Sequence, residues 1–151
     1  MSQREYYSGQ KKFHCKNYLM VHDGSGVVVY IHGGERGAGS DITLLRNSTF
    51  HQRINQYVEF GHHVVCDGAW RNEGAPYLTR FTDRTYLSAA EMAFNYALSD
   101  VRVVCENWYG RMHLLFPILD IFMLSLDKLD IYVRGLAILT NINIQYQSPL
   151  R

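Results

Sequence analysis

At 151 residues the chain fits a single domain, and 47% hydrophobic with 13% aromatic residues is ample for one buried core, which excludes general disorder. Fifteen Lys and Arg against 14 Asp and Glu leave a formal charge of +1, which gives no global attraction to nucleic acid, membrane or acidic partners, so any surface that binds DNA must come from local clustering. Cys15, Cys66 and Cys105 are scattered, odd in number and without a CxxC pair, which argues against a disulfide framework and a Cys-based zinc site.

The start, MSQREYYSGQKKFHC, has no apolar leader, and no run approaches the roughly 18 apolar residues that span a bilayer. A soluble intracellular protein with no membrane partner is expected. Two apolar runs, Tyr18 to Val21 and Val27 to Ile31, flank His22-Asp23-Gly24-Ser25-Gly26, and Asp-Gly between β-rich segments predicts an antiparallel hairpin. The glycine-rich stretch from Gly33 to Gly39 reads as a loop. It leads to Ser40-Asp41, good N-cap types, then Ile42, Leu44, Leu45, Phe50 and Ile54 at helical spacing.

His62 to Gly68 is a short apolar run ending on a carboxylate and a glycine, which predicts a buried strand delivering Asp67 at its carboxyl end. Tyr77 to Phe81 is a further strand candidate. From Ser88 the spacing of Ala89, Met92, Ala93, Tyr96, Ala97, Val101, Val104, Cys105, Trp108 and Met112 predicts one long helix or two abutting ones, ending near Phe116-Pro117. A last helix is expected from about Leu126 to Asn143, with Leu129, Val133, Leu136, Ala137 and Thr140 on one side. With no repeat or linker, the order predicts one α/β domain.

Asp67 and Glu106 are the leading chemical candidates. One ends an expected buried strand and the other lies in an otherwise apolar helical stretch, both costly places for an idle charge. A few converging carboxylates suffice to hold a hard divalent ion beside a phosphodiester. The structural alternative is that Asp67 opens a turn with Gly68 and Glu106 pairs with Arg102 one turn earlier. Asp41 is a third metal-ligand candidate, with a role at the start of its helix as the alternative.

Other signals are weaker. Adjacent His62 and His63 on a strand point to opposite faces and do not easily share an ion, and the glycines from Gly33 to Gly39 lack the GxxxxGK[ST] pattern of a phosphate loop. Lys11, Lys12, His14 and Lys16, interleaved with Tyr7, Phe13 and Tyr18, suit phosphate contacts with some stacking, or equally a solvated strand edge. Trp108, Met112, Leu115 and Phe116 read as core.

Taken in order, several segments resemble the DDE superfamily endonucleases of the PIF/Harbinger transposase type. They are Tyr7 to His14, Gly33 to Asp41 with Leu44-Leu45-Arg46 and Ser48, Val65-Cys66-Asp67-Gly68-Ala69-Trp70-Arg71, and Ala93-Phe94-Asn95. Arg102 to Arg111, Phe116-Pro117-Ile118-Leu119 and Ile138 to Ile142 complete the series, which covers residues 6–144 and leaves 145–151 as a short tail. The resemblance implies an RNase H-like fold, a mixed sheet flanked by helices, in which three acidic residues hold a divalent cation, Mg²⁺ or Mn²⁺, for DNA strand cleavage and transfer.

Carried over by motif, the second aspartate is Asp67 and the glutamate is Glu106, 39 positions apart. Lys11, Lys12, His14, Arg71 and Arg111 are the candidate DNA contacts. The family's first aspartate lies on a strand upstream of the Tyr-Ser-Gly segment, where only Met1 to Glu5 stand here, so that strand and carboxylate are expected to be absent. Arg36 and Arg80 replace usual prolines, His113 a usual lysine and Thr140 a usual histidine, the marks of a diverged copy. The resemblance further implies DNA as partner, a separate DNA-binding protein as a second one, and the nucleus as location. A metal-dependent endonuclease and an inactive remnant that binds metal or DNA are the two functions carried forward.

Overall fold

A computed structural model of the chain describes residues 7–8, 13–37, 39–82, 86–119 and 126–147. The hairpin forms where Asp23 predicts it. The Asp23 carboxylate accepts hydrogen bonds from the Ser25 amide (2.9 Å), the Ser25 hydroxyl (2.7 Å) and the Val27 amide (3.0 Å), an Asx-type turn. Burial works against its charge, but these bonds and one from the Gly26 amide outweigh it and hold the carboxyl below the usual range. Short pairs β1 (Tyr7–Ser8) and β2 (Phe13–His14) precede β3 (Lys16–His22) and β4 (Val28–Arg36), which pair antiparallel.

β4 is longer than the apolar run suggested, because Gly33-Gly34 is part of the strand and not of a loop. The register passes from Tyr18↔Gly33 to Asn17↔Glu35, which leaves Gly34 as an extra residue at a bulge with φ of 85°. A Cβ on Gly34 would collide with the Asp130 carboxylate, so glycine is required there for both reasons.

Ser40 caps α1 (Asp41–Asn47) by accepting from the Thr43 amide. The apolar spacing that suggested one continuing helix is broken into α1, α2 (Thr49–Gln52) and α3 (Ile54–Tyr57). Fully buried Ser48 makes the break: its hydroxyl donates to the Leu45 carbonyl (2.6 Å) and accepts from the His51 amide (3.1 Å), closing one helix and opening the next.

β5 (Val64–Val65) and β6 (Tyr77–Leu78) pair in parallel and are only two residues each. Between them lies a 3₁₀ helix, Gly68–Glu73. The expected single mixed sheet is thus replaced, among the described residues, by three two-stranded pairs. The chain is α/β, with the strands kept short by Gly68, Gly74 and Pro76 close to their ends.

α4 (Ala89–Leu115) is one helix, opened by a capping box in which Ser88 accepts from the Glu91 amide and Glu91 from the Ser88 amide. The 3₁₀ turn Pro117–Leu119 and α5 (Leu126–Gln147) follow. The core lies on both faces of the β3–β4 hairpin. Leu19, Val21 and Tyr30 pack with Leu44, Leu45, Phe50, Cys66 and Tyr77, while Tyr18, Met20, Val28 and Ile31 pack with Trp108, Met112, Val133 and Ala137. A register shift at Val29, which is left 62% exposed, lets Val28 and Ile31 face the same side.

Of α4 only Leu98, Trp108 and Met112 are buried, so the expected apolar face is covered only in part. Met92, Tyr96 and Val101 are exposed, because the core is gathered at Trp108 and Met112 while the helix runs on toward its amino end. Asn141 staples α5 to both neighbours. Its Oδ1 accepts from the Val28 amide and from Trp108 Nε1, each at 3.0 Å, and its Nδ2 donates to the Val28 carbonyl at 2.8 Å.

Candidate functional site

Asp67 stands two residues beyond the end of β5, a strand that is half-buried and not buried as expected, and is itself exposed. It is the N-cap of the 3₁₀ helix, its Oδ1 accepting from the Gly68 amide at 2.5 Å. The 3₁₀ helix is anchored at its far end, where Glu73 takes Arg46 Nη2 at 2.8 Å and lies 3.8 Å from His51 Nε2. His51 Nδ1 in turn lies 2.8 Å from the Tyr77 hydroxyl. The loop carrying Asp67 is therefore framed by α1, α2 and β6. The bond from Arg46 holds the Glu73 carboxyl below its usual range, outweighing burial.

Glu106 corrects the expectation that its apolar sequence context buries it. Its side chain is 66% exposed, on the outer side of α4, and its Oε1 lies 3.7 Å from Arg102 Nη2 one turn earlier. The reason is helical geometry. Val104 and Cys105 turn inward while Glu106 and Asn107 turn out, so an apolar run need not bury every member. Asp41 is the first residue of α1, exposed, with the capping done by Ser40.

β5 packs against α4, and this contact brings the neighbours of the two carboxylates together. Burial pushes the Cys66 thiol up to about 12, and the charges of Arg102, Asp67 and Cys105 all act on it. Cys105 is raised by burial too, with Arg102 and Glu106 acting on it. Arg102 thus stands among Cys66, Cys105 and Glu106, and the two protonated thiols are poor nucleophiles.

Arg111 lies on α4 and donates to Asn143 Oδ1 at 3.3 Å. With Glu106, Asn107, Gly110, Leu114, Leu115 and Asn143 it lines an open groove of about 510 Å³ between α4 and α5. Arg71 is exposed on the 3₁₀ helix, four residues after Asp67. Lys11 and Lys12 lie outside the described residues, as does the side chain of His14, whose backbone belongs to β2. His62 and His63 are exposed.

Carboxylates are suitable donors for Mg²⁺ or Mn²⁺, but among the described residues no three His, Cys, Asp or Glu side chains gather where they could hold an ion. Asp67, Glu106 and Asp41 do not form the expected trio. As arranged, with Glu106 already beside Arg102, the residues do not fit a complete divalent-metal centre.

One long-range acidic site had no sequence signal. Asp130 of α5 receives Lys16 Nζ at 2.9 Å and the Tyr18 hydroxyl at 2.5 Å. Burial opposes its charge, but these bonds together with Lys16 and Arg134 hold the carboxyl below its usual range. Its partners are 114 and 112 positions away, so only the fold brings them together. His22 and His32 each keep a buried Nε2 without a hydrogen-bond partner among the described residues, and burial lowers the pKa of His22 between Trp108 and Tyr109.

Among the described residues no helix is long and apolar enough to cross a membrane. No curated protein and no solved structure matches the chain. A family model described as DDE superfamily endonuclease matches residues 1–141, in agreement with the ordered motifs that run through β5, Asp67, α4 and Glu106. A match over so much of the chain means that it belongs to the DDE superfamily endonuclease family.

Proposed function

We propose that this chain is the domain of a divalent-metal-dependent DNA endonuclease of the transposase-derived kind, with Asp67 and Glu106 as two of its metal-holding carboxylates. The observation that supports it is the packing of β5 on α4, which sets Cys66 and Cys105, the residues preceding the two carboxylates, within electrostatic reach of each other. The fold under this reading is RNase H-like and the substrate a phosphodiester in DNA. A Mg²⁺ or Mn²⁺ ion, when bound, would supply activation of water and stabilisation of the leaving oxygen. Arg111, beside Glu106 in the groove, and Arg71, after Asp67, would contact backbone phosphates, as would Lys11, Lys12 and His14. A DNA substrate would place the protein in the nucleus.

The test is nicking of supercoiled DNA by the full chain with Mg²⁺ or Mn²⁺. Cleavage that needs the cation and disappears in both Asp67→Asn and Glu106→Gln is expected. Cleavage retained in both variants overturns the assignment of these residues.

A second reading, a remnant that binds DNA or metal without cutting, is favoured by one observation. Glu106 lies 3.7 Å from Arg102, and no third ligand joins it among the described residues. Salt-sensitive DNA retention without cation-dependent nicking would establish that reading over the first.

A further inference from the structure

α5 buries one side, where Val133, Ala137 and Thr140 are enclosed against the hairpin and α4, yet its opposite side is apolar as well. Ile131, Ile138, Leu139, Ile142 and Tyr146 are 76%, 60%, 50%, 42% and 87% exposed. With 3.6 residues per turn they fall, together with Gly135, in one stripe about 100° wide. A helix that is apolar on both sides is ordinarily covered on both. The stripe contains no Asp or Glu, its one charged member being Lys128 in the first turn of the helix, and a Cβ placed on Gly135 would meet open space.

The spacing is complementary to itself. When a second α5 runs antiparallel about a two-fold axis between Ile138 and Leu139, Ile138 meets Leu139, Ile131 meets Tyr146, and Ile142 enters the space over Gly135. A parallel pair would instead set Gly135 against Gly135 and Tyr146 against Tyr146, a hole and a clash. Antiparallel pairing also opposes the two helix dipoles. The helix is about 33 Å long at 1.5 Å per residue. Its stripe presents on the order of 500 Å² of apolar surface, at the upper end of what a monomer leaves bare, and with its flanks approaches the ~800 Å² per partner of a stable interface.

We propose that the outer face of α5 is a dimer interface through which two copies of this chain pair antiparallel. It stands on α5 alone and is independent of the endonuclease reading. The test is sedimentation of the full chain over a wide concentration range, with far-UV circular dichroism to establish that each variant folds. A monomer–dimer equilibrium is expected, weakened at least about tenfold by Ile138→Glu beside the two-fold axis. Ile131→Lys and Tyr146→Glu should each weaken it, and the two together should restore part of the loss, since only the antiparallel register brings these positions together.

A chain that is monomeric at every concentration overturns the proposal, as does a dimer indifferent to Ile138→Glu. A monomer that is thermally destabilised by Ile138→Glu would give the face to another segment of the same chain. One that loses DNA retention would give it to nucleic acid. Either result overturns pairing between copies.

Discussion

Asp130 and Glu106 are both acidic residues in helices rich in apolar side chains, and the fold treats them in opposite ways. Asp130 sits in the seam between α5 and the hairpin, holding Lys16, whose side chain is only 6% exposed, and the Tyr18 hydroxyl, opposite a glycine that leaves room for its carboxylate. Glu106 sits on the outer side of α4 with one neighbour from its own helix. The first seam is closed by long-range polar bonds that stabilise the fold. The second is open, with exposed carboxylates and a groove, and has the accessibility that a large polymer substrate requires. Stability and the proposed chemistry are therefore carried by different carboxylates.

Three substitutions break or sharpen this contrast. The largest effect is expected at the closed seam for Asn141→Ala, which removes three hydrogen bonds and leaves the Val28 backbone and Trp108 Nε1 without their partners, at a cost of about 3 kcal/mol. Denaturant unfolding measures it, and a loss well under 1 kcal/mol would show that the staple contributes little.

Asp130→Asn comes next, at about 2 kcal/mol, because it leaves the nearly enclosed Lys16 ammonium without its counter-charge. It also carries a pH signature. The folded carboxyl is held below the unfolded value of about 3.9, so its stabilisation is fully present above that pH and is lost as pH falls through the folded value. Acid unfolding of Asp130→Asn should be flatter over that window than that of the parent chain. Equal slopes would mean that the Lys16 and Tyr18 contacts do not bias the ionised form.

The smallest effect belongs to the open seam. Glu106→Gln removes a solvent-exposed pair within one helix and should change stability by less than ~0.5 kcal/mol. The same variant is the one expected to abolish cation-dependent nicking, so a silent melting curve beside lost cleavage would separate a functional carboxylate from a structural one. A loss of stability comparable with that of Asp130→Asn would erase the contrast.

Much of the local structure was legible in the sequence because its causes are local. Asp23 with Gly26 makes the turn, Ser40 caps α1, Ser88 with Glu91 opens α4, and Leu129, Val133, Leu136, Ala137 and Thr140 mark the buried side of α5. The ordered motifs likewise led to the family. Both local alternatives for the carboxylates, the Asp67 turn with Gly68 and the Glu106 pair with Arg102, were also readable, since each spans at most one helical turn.

Tertiary packing alone decided the rest. It turned Gly33-Gly34 into a bulge that admits Asp130, split the strands into short pairs, and left Glu106 in solvent while enclosing the contacts of Asp130. The physical reason is distance along the chain. A cap or a turn is specified by neighbours within a few residues, whereas the burial of a charge depends on groups more than a hundred positions away, which no local pattern records.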